Sequence, residues 1–582
     1  MADVSNAAIA DALEELGDLY ELDGAIVHRV LAYRNAARSV RESPVSVAAL
    51  ARAGKATELA GIGETLQQKI LTFLQTGTTP SSERLRAKFP PGLIAIAHLP
   101  GLGPKRARLL HDEVGIQTLE QLREAALAQR LRDVRGLGPK FEANVLGALD
   151  AASTERVPRL LLPAAIELGE ALIAGLRANA PPDAKIELAG SARRMVDAVK
   201  DIDVIATTAH PQALTGLLDG LEQIESVSSS GAAGARARMH SGMSVDLRIA
   251  LPEQHGNLLQ HFTGSGRHNA ALREAAVRRG LHVSEYGVLA DSDGSTHTCI
   301  GEEGVYELLG LDYIEPELRE NRGELEAAAH GGGLPPLIAE RDIRGDLHCH
   351  TVASDGRATI AEMARAARER GYEYLAITDH SASHGFGNDV SPTELLRQIE
   401  RIEKANAAVE GIELLAGSEV NILPDGSLDY EDELLARLDW VVASVHTAFG
   451  IGEQAMTERM IAAIEHPLVD TIGHPTGRLI ERREPYALDL EAVFTAAART
   501  GTMLEINANP ARRDLSDVHA RAAVRAGVRI VIDSDAHRTA TLANMRWGIA
   551  TARRAWLRSE DVANTRPWRE LATLRKRGPG GS

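Results

Sequence analysis

A chain of 582 residues exceeds what one hydrophobic core organises, so several domains are expected. Hydrophobic residues make up 44% of it, yet no apolar run is long enough to span a bilayer, and the acidic amphipathic N-terminus lacks the pattern of a secretion signal, which predicts a cytoplasmic protein with no membrane association. The net charge of −17 excludes coating of nucleic acid by bulk electrostatics, and two cysteines, Cys299 and Cys349, exclude a disulfide framework or a thiolate zinc site.

The N-terminal part repeats one device. Gly61-Ile62-Gly63, Gly101-Leu102-Gly103-Pro104-Lys105 and Gly136-Leu137-Gly138-Pro139-Lys140 each precede an amphipathic stretch. A glycine turn between two helices lets backbone N–H groups approach a phosphate at a helix N-terminus, where the dipole favours negative charge. Lys105 and Lys140 add a point charge beside two of the turns. A single Gly-x-Gly also serves as a helix cap. Three in like surroundings predict helix-hairpin-helix motifs, in which these six glycines and two lysines hold the DNA backbone without reading its sequence.

The next stretch changes period. Asp201 and Asp203 alternate with Ile202 and Val204, so a strand here presents both carboxylates on one face and packs the apolar side chains behind. Asp246, within the run SVDLRI, completes three carboxylates on a neighbouring strand. Such a set suits two Mg²⁺ ions, and the turn Gly190-Ser191-Ala192-Arg193-Arg194 upstream suits a triphosphate.

Beyond Gly345 the chain reads as strands alternating with helices, and nine metal-ligand residues fall where the strands run out: His348, His350, Asp355, His380, Glu419, His446, His474, Asp535 and His537. Polar residues at strand C-termini in such a repeat predict a β/α barrel with its site on the C-terminal face. His348 and His350 flank Cys349, so the imidazoles share one side while the thiol points into the barrel wall. Nine ligands exceed the needs of one ion. Two or three ions are expected, bridged by Glu419, and mixed imidazole and carboxylate ligation suits Zn²⁺, Mn²⁺ or Fe and the hydrolysis of a phosphoester.

Two family resemblances join these observations. DLHCHT with SDG after it, TDH, SEVNI, SVH, GHP and SDAH resemble the successive motifs of the PHP (polymerase and histidinol phosphatase) domain over about residues 340–565. That similarity implies one metal on His348, His350, Glu419 and Asp535, a second on Asp355, His380 and His474, and a third on Glu419, His446 and His537. The Gly-Ser turn, the aspartates, AYRNAARSVRE, GIGETLQQKILTFLQTG, HLPGLGPKRARLL and FTGSGRHNAALREAAVRRGLHVSEYGV resemble DNA polymerase family X over about residues 1–315.

The second resemblance implies catalytic Asp201, Asp203 and Asp246, phosphate contacts from Ser191 and Arg194, a sugar pocket lined by Phe262 and Gly264, and base-pair or template contacts from Asn269 and Arg273. Tyr33 and Lys69 match a region where relatives carry a lyase site, with Lys69 at its Schiff-base position. The chain departs from the family at Lys200, where glycine is usual, at His261 in place of tyrosine, and at Ala192 in place of phenylalanine.

The expected architecture is multidomain: an all-α helix-hairpin-helix region, an α+β nucleotidyltransferase core and a distorted C-terminal β/α barrel of about seven strands. The divisions fall at 1–90 for an N-terminal helical domain, 91–155 for two further hairpins, 156–250 for a palm, 251–316 for a thumb-like domain, 317–340 for a linker and 341–582 for the PHP domain. The expected activities are gap-filling DNA synthesis with Mg²⁺, acting on gapped or nicked DNA and dNTPs, and 3′-to-5′ exonuclease action, extending to abasic sites and blocked 3′ ends. A monomer is expected. Two other readings stand beside these, a DNA-end-binding scaffold with an inactive polymerase half and a small-molecule phosphatase of the histidinol-phosphate kind.

Overall fold

A computed structural model of the chain describes residues 4–99, 102–152, 159–329, 333–383 and 389–577. Gly101, an expected DNA contact, and Gly331 and Gly332 of the expected linker lie outside these, as does the side chain of Lys140. The chain divides into two compact units, one made of Met1–Leu160, Ala164–Leu188 and Lys200–Pro252, the other of Leu161–Pro163, Ala189–Val199 and Glu253–Ser582.

The first unit opens with helices. Ser5 caps Asn6–Leu22 by accepting from the Ala8 N–H, and Ile9, Leu13, Leu16 and Leu19 recur at helical spacing to form the buried face. All three glycine turns have one build: Ile62, Leu102 and Leu137 are buried, and each donates its N–H three residues back, to Leu59, Leu99 and Val134. The helices Glu64–Thr76, Gly103–Val114 and Pro139–Ala152 follow at once. Pro104 and Pro139 open two of them, where a missing N–H costs nothing.

The sheet of the first unit has strands β1 (Lys185–Leu188), β2 (Asp201–Thr207), β3 (Ile224–Gly231), β4 (Gly234–Met239) and β5 (Ser244–Ala250), in spatial order β1-β2-β5-β4-β3. β2 and β5 run parallel, with Asp203 opposite Asp246.

In the second unit, helices His255–Thr263 and Gly266–Val277 precede a small antiparallel sheet of β6 (Leu281–Ser284), β7 (Gly287–Ala290) and β8 (Thr296–His297). The segment read as a linker buries Glu317, Leu318, Arg319, Glu324, Leu325 and Ala328. Arg319 is fully buried and pairs with Glu302, and buried Glu324 accepts from His268 Nδ1 at 2.7 Å.

The C-terminal strands are β9 (Gly345–Asp346), β10 (Tyr374–Ile377), β11 (Glu413–Asn421), β12 (Trp440–Ser444), β13 (Thr471–Ile472), β14 (Met503–Asn507) and β15 (Ile530–Asp533), all parallel and adjacent in sequence order. A parallel bridge between Cys349 and Ala536, with the His350 N–H donating to the Ala536 carbonyl at 2.9 Å, joins the ends of the first and last strands into a nearly closed barrel. Alternation sorts the side chains. Tyr374, Ala376, Leu415, Trp440, Val442, Met503 and Val531 fill one cluster, while Leu375, Ile377, Leu414, Val441, Ala443, Leu504 and Ile532 join a second with the surrounding helices. Counting in twos from Leu415 and Met503 puts Glu419 and Glu505 on the side of the first cluster.

Asp517 illustrates how ion pairs tie this unit together. Its carboxylate accepts from Arg322 at 2.8 Å and lies 3.0 Å from Arg554 Nη2. Burial alone would raise its pKa, but the Arg554 and Arg322 guanidiniums outweigh that and hold it down to about 2, from 3.8. A carboxyl depressed by folding stabilises the fold above its unfolded value, and the contribution fades as pH falls from 3.8 through about 2. Asp517→Asn should therefore lower stability by about 2 kcal/mol at neutral pH. Urea midpoints of parent and variant should converge as the pH drops through that window.

Candidate metal centre and nucleotide site

Glu419 is the hub of the barrel site. It is 1% exposed, with Oε1 2.9 Å from His474 Nε2 and 3.2 Å from His446 Nε2, and Oε2 2.8 Å from His380 Nδ1, 3.3 Å from His348 Nε2 and 3.6 Å from His350 Nε2. Asp535 Oδ1 lies 3.2 Å from His350 Nε2, and Asp355 Oδ2 3.2 Å from His537 Nε2. All nine residues named from the sequence thus meet at the C-terminal ends of the strands.

Their grouping differs from the one implied by the resemblance. His537 stands with Asp355, His380 and His350, its ring 4.2 Å from that of His350, while His474 stands with Glu419 and His446. The two histidines exchange places relative to the expected sets. His474 and Asp535 both sit at positive φ, 31° and 52°, so local backbone turns that strand alternation does not predict aim these two side chains.

The electrostatics fit a cation. Burial would raise the Glu419 carboxyl, but His446, His348 and His380 hold it well below the carboxylate range, and His348, His350 and His537 do the same for Asp535. Burial, with His537 and His380 nearby, lowers His350 to about 3, and burial with Arg512 lowers His474 to about 3. Burial opposes protonation of His537, but Asp355 and Asp535 prevail and lift it to about 9. Nε2 of His348 and Nε2 of His350 are buried and reach no hydrogen bond, although carboxylate oxygens lie 3.2–3.6 Å away, and buried His350 Nδ1 likewise reaches none, with Asp355 Oδ1 at 4.0 Å. Buried imidazole nitrogens without a proton partner, gathered around two carboxylates, are a donor set suited to divalent metal.

Sequence reading missed the residues that hold these ligands. Glu505 accepts from His348 Nδ1 at 2.6 Å and from the His474 N–H at 2.5 Å, fixing the ring whose Nε2 meets Glu419. Asp379 accepts from the Thr351 N–H, Thr351 Oγ1 and Ser354 Oγ at 2.6–2.7 Å, bracing the loop after His350. Arg512 reaches 3.8 Å from Asp535 Oδ2. Cys349 is fully buried and donates to the Ala376 carbonyl, in the barrel wall as expected.

In the first unit, pairing of Asp203 with Asp246 sets those two carboxylates side by side on parallel strands, and Asp201 lies two residues from Asp203 on the same strand face. Asp246 is paired with Arg248 at 2.8 Å and Lys200 Nζ lies 3.6 Å from Asp201, so cations already attend the cluster. Lys105 is exposed on the first turn of its helix. Lys69 donates to Ser81 at 2.9 Å, whereas Tyr33 is 7% exposed and stacks on Tyr20, its hydroxyl pushed up to about 12 by burial.

The remaining nucleotide residues lie in the second unit. Gly190 takes a left-handed φ of 63° at the head of the Gly-Ser turn, and Ser191 Oγ is buried with no hydrogen bond. Arg194 donates to Glu320 at 3.0 Å and to the Thr263 carbonyl at 2.9 Å. Asn269 donates to the carbonyls of His261 and Gly264 at 2.6 and 3.2 Å, so its amide shapes the turn that carries Phe262. A Cβ on Gly264 would fall 2.3 Å from Asn269 Oδ1, so a side chain there would have to displace the amide that shapes the turn. Arg273 is exposed one helical turn beyond Asn269.

Sequence comparison matches this geometry. Family profiles match the helix-hairpin-helix domain at 4–79, a SAM-like helix-hairpin-helix tandem at 93–149, the DNA polymerase beta thumb at 258–320 and the PHP domain at 346–509. The DNA polymerase/3′-5′ exonuclease PolX of Bacillus subtilis (strain 168) is 37% identical over 570 residues, 97% of this chain and 98% of the relative. Probable phosphatases of Thermoanaerobacter sp. (strain X514) and Shewanella sediminis (strain HAW-EB3) are 32% identical over 231 and 243 residues, 38% and 40% of this chain and 89% and 94% of their own length. With a relative matched end to end and both halves recognised by their profiles, the chain belongs to the branch of DNA polymerase family X that carries a C-terminal PHP domain.

Proposed function

We propose that this chain is a cytoplasmic, monomeric repair enzyme that fills short gaps in DNA and trims DNA from the 3′ end, with abasic sites and blocked 3′ termini among its substrates. The observation that carries the reading is the presence in one chain of two separate centres suited to cations, three aspartates on neighbouring strands in one unit and nine ligand residues in the barrel of the other. Ions held by Asp201, Asp203 and Asp246, read as Mg²⁺, and two or three ions held in the barrel, read as Mn²⁺, Zn²⁺ or Fe, would supply Lewis-acid stabilisation of charge on the phosphoryl oxygens. Ser191 offers its unpartnered Oγ to the incoming triphosphate, and Phe262 with Gly264 shapes the sugar pocket. In the barrel, Glu505 and Asp379 fix ring and loop so that His348 and His350 keep their aim as substrate binds.

One preparation should extend a primer across a single-nucleotide gap and shorten a 3′-labelled strand, in Mg²⁺ and Mn²⁺. Turnover of histidinol phosphate far above that of DNA would overturn the nuclease half, and digestion without extension would overturn the polymerase half. The hairpins should contribute phosphate contacts alone. Lys105→Ala should weaken binding to any gapped duplex and reduce the slope of log K against log salt by about one, measured by titration of a labelled duplex.

A further inference from the structure

Three arginines of the barrel unit converge on one strip of backbone. Arg513, fully buried, donates Nη2 to the Met195 carbonyl and Nη1 to the Val196 carbonyl, each at 3.0 Å, and Nε to Thr551 Oγ1 at 2.8 Å. Arg554 Nη1 donates to the Arg194 carbonyl at 2.7 Å. Arg478 and Arg513 flank Asp197 at 2.9 and 3.3 Å. Four consecutive residues, 194–197, are thereby fixed by side chains more than 280 positions away in sequence, and all of them belong to the same compact unit. Met195 takes a left-handed φ of 57°, a conformation a free turn would not favour.

Packing does not explain the arrangement. Burying a guanidinium is unfavourable, and burial pushes Arg513 down to about 10, a cost that its hydrogen bonds to the two carbonyls and its pairing with Asp197 have to offset. What a forked donor adds is direction, since two N–H groups on two successive carbonyls fix the strip's orientation as well as its place. The strip leads directly from the turn that carries Ser191 and Arg194. On the reading of that turn as the triphosphate holder, we infer that Arg513, seconded by Arg478 and Arg554, is a positioning residue for nucleotide addition: the PHP half sets the aim of the polymerase's nucleotide-binding turn. A phosphate-binding turn that loses its anchor loses affinity for the group it holds, so the anchor should be felt at the nucleotide and not at the DNA.

The test uses the full chain on a single-nucleotide gap, with dNTP concentration varied and 3′-end digestion measured on the same samples. Arg513→Lys keeps the charge but not the fork. Asp197→Asn, on the partly exposed strip itself, removes the carboxylate that Arg478 and Arg513 flank and guards against a folding defect in the first variant. Each should raise the KM for dNTP about tenfold, the loss expected from one charge-assisted hydrogen bond, with a smaller fall in kcat and with DNA affinity and digestion as in the parent. Parental KM in both variants, with the parent filling gaps normally, overturns the inference alone. Equal loss of synthesis and digestion in both marks a purely structural role and also overturns it. A parent that fills no gaps removes the polymerase reading and this inference with it.

Discussion

Glu419→Ala is expected to lower digestion of 3′-labelled DNA by more than about a hundredfold and to strip cation from the purified protein, while gap filling continues. Five imidazoles lie within 3.6 Å of this one buried carboxylate, more than surround any other ligand of the barrel. Without it the histidines lose the one anionic donor they share, and imidazoles alone bring no charge to offset a divalent cation. Single histidine changes, such as His348→Ala or His350→Ala, should do no more damage than Glu419→Ala. Elemental analysis beside the digestion assay measures both effects. Full metal content with parental digestion would remove the barrel as a nuclease centre.

Asp201→Ala with Asp203→Ala should reduce nucleotide addition by more than about a thousandfold and leave 3′ digestion at the parental rate. These aspartates and Asp246 belong to the first compact unit and the barrel ligands to the second, so the two losses should be separable. Equal loss of both activities in a protein with parental circular dichroism would contradict that separation.

How much of this was legible in the sequence depended on distance along the chain. Strand alternation alone placed Asp201 and Asp203 on one face, because period-two patterning is a local rule. Nine ligands at strand exits likewise announced the barrel. The assignment of His474 and His537 to particular neighbours was not legible, because it follows from loop backbone at positive φ at His474 and from the closure of the last strand onto the first. Glu505 was hidden in the run MLEIN, which reads as one more apolar strand. Arg513 was less visible still, as nothing near it in sequence hints at carbonyls 317 residues away. The three glycine turns show the opposite case: Leu59 with Ile62, Leu99 with Leu102 and Val134 with Leu137 carry the same apolar spacing and the same turn hydrogen bond.

The position of Cys349 bears on handling as well as on fold. Its thiol is sealed in the barrel wall against the Ala376 carbonyl, and burial among Asp346, Asp379 and Asp533 drives its pKa well above 9.0. Cys299 is also buried, with burial raising its pKa too. Neither supplies the thiolate on which maleimides, iodoacetamide and peroxide act. With both native thiols buried, a single cysteine engineered on the surface is expected to take a fluorophore or spin label ahead of them, which mass spectrometry of the labelled parent and variant would check.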